Sequence, residues 1–176
     1  MIMSQRLART LLLIAVTACG CSGSDSTALN PPGAPTPSEL AQATYSDIMD
    51  RPVTLAGGRW EGEPFVAGGA SRPSVGLIEH FRLTGDLDGD GLDEAVALVW
   101  ESSGGSGTRL HLAVMGRRHE EVENLGTTLV GDRVQVRSGA IESRRITLDI
   151  VRAGPEDAAC CPTQKALVTW ALTEDG

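Results

Sequence analysis

Ala95-Val96-Ala97-Leu98-Val99-Trp100 is apolar without a break. Side chains of a strand alternate between two faces. This run is therefore apolar on both faces and reads as a central strand, not a half-wet edge. The chain around it reads as an antiparallel meander from Val75 onward. Leu77 to Leu83 leads in, and Ser102-Ser103-Gly104-Gly105-Ser106-Gly107 is a hairpin tip. Leu110, Leu112 and Val114 then alternate with Arg109, His111 and Ala113, the mark of a half-buried strand. Arg117-Arg118-His119-Glu120-Glu121 is a charged turn. Leu125 to Val130, Val134 to Val136, Ile146 to Val151 and Leu167 to Leu172 continue the pattern. Gly131-Asp132, Ser138-Gly139 and Ser143-Arg144 are the expected turns between them. Aromatic residues make up 3% of the chain, so Val, Leu, Ile and Ala must build the core. Trp60, Trp100 and Trp170 all fall in expected strands and read as core.

Upstream of the meander, Thr36-Pro37-Ser38-Glu39 has the signature of a helix start. Threonine caps, proline suits the first helical position, and Glu39 completes a capping box. Leu40, Ala41, Thr44, Tyr45 and Ile48 share one face at helical spacing, and Pro52 ends the helix near Asp50. Val53-Thr54-Leu55 and Arg59-Trp60-Glu61 flank Gly57-Gly58 as a small hairpin. Residues 62–74 form a long loop rich in Gly and Pro. The expected class is α+β: an antiparallel β-meander sheet with one N-terminal helix packed on it, in a single domain over residues 38–176.

The N-terminus has its own logic. Arg6 and Arg9 precede Leu11-Leu12-Leu13-Ile14-Ala15-Val16, a short basic segment and a short apolar run, as in a secretory signal over residues 1–18. The run is too short to span a bilayer permanently. Val16-Thr17-Ala18-Cys19 resembles the bacterial lipobox. The resemblance implies cleavage before Cys19, acyl chains such as palmitate on that residue, and an anchor in a membrane. Ordinary signal cleavage after Ala18 also fits the small-residue rule, and Cys21 is a weaker lipidation candidate. Gly20, not Asp, follows Cys19, which implies the outer membrane in a two-membrane bacterium. Residues 19–37 are a Ser/Gly/Pro tether with nothing to bury.

Loss of residues 1–18 removes Arg6 and Arg9, leaving 13 basic against 23 acidic side chains, a net charge of −10 where the whole chain carries −8. No basic footprint for nucleic acid is present. A concentrated part of the acidity is Thr84-Gly85-Asp86-Leu87-Asp88-Gly89-Asp90-Gly91-Leu92-Asp93-Glu94, directly before the apolar strand. Calcium takes about six to eight oxygen ligands. Asp86, Asp88 and Asp90 stand at loop positions one, three and five, and Gly91 at six permits the sharp turn. Leu92 offers its carbonyl at seven, and Glu94 reaches in from nine. The spacing follows the EF-hand pattern to that point and then departs: position twelve is Ala97, inside the apolar run. The stretch resembles instead the calcium loop of FG-GAP repeats, the blade motif of integrin-type propellers. That resemblance implies calcium held by Asp86, Asp88, Asp90, the Leu92 carbonyl and Glu94. It does not imply a propeller, since the motif occurs once. An Asp/Gly turn that binds nothing is the plain alternative.

Cys160-Cys161-Pro162-Thr163 is the second unusual stretch. Adjacent Cα atoms lie about 3.8 Å apart, closer than the roughly 4.4–6.8 Å a disulfide prefers. Three readings stand: a vicinal disulfide, two free thiols, or soft-metal or redox chemistry. No nucleophile elbow, zinc-protease helix or phosphate-binding glycine loop occurs. His80, His111 and His119 are scattered and fit surface or turn positions. The lipobox, acidic loop, Glu101-Ser102-Ser103-Gly104-Gly105-Ser106-Gly107 hairpin and Cys-Cys-Pro-Thr together are similar to bacterial envelope lipoproteins of uncharacterised activity. The expectation is a lipid-anchored, non-enzymatic protein of the cell envelope that binds another envelope protein or polymer or serves as a structural module. The alternative is a thiol/redox protein using Cys160 and Cys161.

Overall fold

The computed structural model describes residues 33–158 and 160–173. The signal segment, Cys19, Cys21 and most of the tether lie outside the described residues. Among those residues the secondary structure is almost wholly β. The helix expected from Thr36 to Asp50 is a single turn, α1 (Pro37–Leu40), so the α+β expectation is overturned. The start signal holds: Thr36 accepts from the Glu39 N–H, and Glu39 reaches back to the Thr36 N–H. Propagation fails because carbonyls beyond the first turn find distant donors. The Ala41 carbonyl accepts from Gly58 N–H at 2.7 Å, and the Ala43 carbonyl from Leu55 N–H at 3.0 Å. Thr44 and Tyr45, poor helix formers, become β1 (Thr44–Tyr45), paired with β2 (Val53–Thr54). Tyr45 is fully buried and donates its hydroxyl to the Leu40 carbonyl at 2.9 Å.

Gly57 and Gly58 do take positive φ, yet the hairpin around them is one bridge, Ala56 to Arg59. β3 (Arg59–Glu61) pairs instead with β4 (Ser74–Gly85). β5 (Glu94–Ser102), β6 (Arg109–Arg118) and β7 (Glu121–Asp132) follow by hairpins, giving a five-stranded antiparallel sheet in the order β3-β4-β5-β6-β7. β8 (Gln135–Glu142), β9 (Arg145–Arg152) and β10 (Gln164–Ala171) form a separate three-stranded sheet. The expected single meander thus splits in two after β7. Ser138 and Gly139, expected in a turn, lie inside β8. There Gly139 leaves room for Phe81, Leu83 and Leu148.

The split follows from β5. Its residues 94–99 are all buried, so the large sheet needs a cover on each face. Val96, Leu98, Leu112 and Val114 meet Ile146, Leu148 and Ile150 of the smaller sheet. Ala95, Ala97, Val99, Ala113 and Met115 meet Leu40, Tyr45, Ile48, Val53 and Leu55 of the N-terminal segment. β6 is therefore buried on both faces too, and His111, expected at the surface, is 5% exposed. The three tryptophans lie in strands, half-buried at the margins of these clusters. The end of the tether is bound to the fold: Arg82 donates to the Pro35 carbonyl, and Arg117 to the Gly33 carbonyl.

Candidate metal centre

Residues 86–93 join β4 to β5. Because β6 is antiparallel to β5, the β6–β7 turn emerges at the same end of the sheet. Three features shape the acidic loop. Gly89 and Gly91 have φ near +87° and +86°, conformations that side chains resist. Successive aspartates close tight turns: Asp86 Oδ1 accepts from Gly89 N–H at 2.6 Å, Asp88 Oδ1 from Asp90 N–H at 3.0 Å, and Asp90 Oδ1 from Leu92 N–H at 2.8 Å. Leu87, between two aspartates, points the other way into the core between the sheets and is 3% exposed. It anchors the loop, and its N–H donates to Glu94 Oε2 at 2.8 Å.

The result is a group of three carboxylates. Asp86, Asp88 and Glu94 each bring an oxygen within 4.8 Å of the others and could hold a metal ion. Glu94 is 1% exposed. Burial pushes its carboxyl up, the Asp88 and Asp90 charges push it further, and the Leu87 N–H resists. A bound cation would relieve those repulsions. Asp88 is also desolvated, but the Asp90 N–H and the Arg118 guanidinium outweigh that and hold it below the usual carboxylate range.

Of the five residues the sequence nominates, the structure gathers three. Asp90 stands outside the group, turned to the Leu92 N–H and, at 3.7 Å, to Arg118. Leu92 enters through its N–H. Two participants were not legible in the loop itself. Arg118, at the end of β6, meets Asp88 at 2.7 Å and supplies a tethered positive charge. Arg144, from the β8–β9 turn, packs against Gly89, where any side chain would collide with its guanidinium. A lone leucine between aspartates was the available signal for Leu87; nothing local announces the two arginines, which arrive from hairpins 30 and more residues away. Beside Asp88 a groove of about 300 Å³ runs past Leu87, Arg145 and Leu172, between the two sheets. Cys160 and Cys161 lie far along the chain in the β9–β10 loop and are joined to each other.

No family model, curated protein or solved structure matches the chain. The site's own chemistry therefore defines the class: a β-rich protein with an all-oxygen acidic cluster suited to a hard cation.

Proposed function

We propose that this is a lipid-anchored module of the cell envelope whose acidic loop takes up calcium, and which works by binding another envelope protein or polymer. The observation that carries the metal reading is the convergence of Asp86, Asp88 and Glu94 with Glu94 buried. Carboxylate oxygens on a glycine-hinged loop suit calcium, and extracellular modules bind it with dissociation constants on the order of 10⁻⁴–10⁻³ M. Calcium would displace Arg118 from Asp88, cancel the repulsion at Glu94 and fix the β4–β5 hairpin against the smaller sheet. The role is structural: the ion would hold in shape the surface and groove at this end of the two sheets. The anchor rests on Val16-Thr17-Ala18-Cys19, with acylation at Cys19.

Thermal melting of the full chain tests the metal. Millimolar calcium is expected to raise the melting temperature, chelator to reverse the rise, and Asp88→Ala to abolish it. Identical melts with calcium and with chelator would remove the site. Acyl-chain labelling in a bacterial host should disappear in Cys19→Ala; retained label there would move the acylation to Cys21, and an unlabelled parent chain would refute the anchor.

A further inference from the structure

We infer that Cys160 and Cys161 form a reversible thiol–disulfide couple that exchanges with a dithiol, and not a staple of the fold. The two sulfurs are bonded, and the residues are neighbours in sequence. A cross-link stabilises chiefly by restricting the unfolded chain, and the effect grows with the loop it closes. A loop of two residues restricts almost nothing. Stability therefore does not account for this bond.

The surrounding loop is held by other means. Asp157 Oδ2 accepts from the Gly154 N–H at 2.8 Å and the Thr163 N–H at 2.7 Å, and its Oδ1 accepts from the Thr163 hydroxyl at 2.8 Å. The Asp157 N–H returns to the Gly154 carbonyl at 3.2 Å, and the Cys161 N–H donates to the Ala158 carbonyl at 2.9 Å. Gln164 opposite Arg152 closes the β9–β10 ladder at the loop's base. Both ends of the loop are thus tied through one carboxylate, with no sulfur involved. Neither cysteine belongs to a buried cluster, and both are exposed. A thiolate can reach the bond without unfolding the chain, and opening it uncovers no apolar surface.

The exchange balances with a dithiol as reductant. Its thiolate attacks one Sγ, the S–S bond breaks, and the electron pair leaves on the other Sγ. The second thiol of the reductant, once deprotonated, attacks its own sulfur in the mixed disulfide and releases the remaining cysteine as thiolate. Two electrons and two protons pass to Cys160 and Cys161, and the reductant departs as a disulfide.

The full chain, equilibrated in graded ratios of reduced to oxidised dithiothreitol and then alkylated, tests this. The tryptic peptide Ala153–Lys165 carries both cysteines and neither Cys19 nor Cys21. The expected result is a shift from no alkyl groups to two across those ratios, reversed by oxidised dithiothreitol. The melting temperature should move by less than about 2 °C, smaller than loss of a structural cross-link produces. A bond that opens only when the chain unfolds, a larger fall in melting temperature on reduction, or failure of oxidised dithiothreitol to close the pair in the folded protein would each overturn the inference.

Discussion

His111 carries two ring nitrogens into the covered face of the large sheet, and neither finds a hydrogen-bond partner among the described residues. Desolvation holds its pKa below the ordinary 6.5; nearby Arg109 adds to the depression and Glu101 opposes it. The unfolded chain therefore takes the proton first. This contribution to stability is intact above about pH 6.5 and is lost as pH falls through the folded-state value. His111→Leu should remove that loss and raise stability by about 1–3 kcal/mol, the usual penalty of an unsatisfied buried polar group. Denaturant melts on either side of pH 6.5 measure both; a leucine variant with unchanged pH dependence would sink the argument. Glu101, equally buried on the neighbouring strand, shows the satisfied alternative. Its carboxylate accepts from Arg109 at 2.7 Å and from the Ser103 hydroxyl at 2.6 Å.

Hairpins are the element in which this protein concentrates its chemistry. The β4–β5 loop brings the carboxylates, the β6–β7 hairpin brings Arg118 to Asp88, and the β8–β9 turn brings Arg144 against Gly89. Both turns use residues other than glycine at positive φ, His119 with Glu120 and Ser143 with Arg144. Positive φ at both central residues suits the twist of tight hairpins. In the proposed calcium site the ion would compete with Arg118 for Asp88. An exposed ion pair is worth about 0–1 kcal/mol, so Arg118→Ala should tighten calcium binding by up to roughly fivefold. Titration calorimetry measures this; weaker binding in the variant would mean that Arg118 shapes the loop for the ion instead of opposing it. The loop's ligand spacing was readable because carboxylates and glycines at alternate positions act locally. The guanidiniums were not, because pairing between strands decides which turns meet.

The described residues form three layers, and the N-terminal one is pinned by charge as well as by packing. Arg117, on the β6–β7 hairpin, meets Glu39 at 2.7 Å and also holds the Gly33 carbonyl. That guanidinium first, then the Thr36 N–H and hydroxyl, pull the Glu39 carboxyl down to about 2. Its unfolded value is near 4.5, so its stabilisation is complete above that pH and disappears as pH falls from 4.5 to about 2. Glu39→Gln should lower the melting temperature at neutral pH and flatten its fall across that window. Parallel melts of both proteins decide it; curves that fall equally steeply would show that the layer is held by Tyr45 and its apolar neighbours alone.

Local chemistry was legible in the chain: the Thr36 cap, most of the strands of the meander, the two-sided apolar run at β5, the glycine-hinged acidic loop. Each depends on residues within a few positions of one another, where propensity and spacing act directly. The length of the helix, the partition into two sheets, the burial of His111 and the two arginines against the acidic loop were settled only in the folded molecule. A strand buried on both faces demands two covers, but the demand does not say which segments will serve. Residues 40–55 took one side as short strands because distant backbone donors claimed their carbonyls. β8, β9 and β10 took the other because their apolar sides could close on β5 and β6 as a second layer.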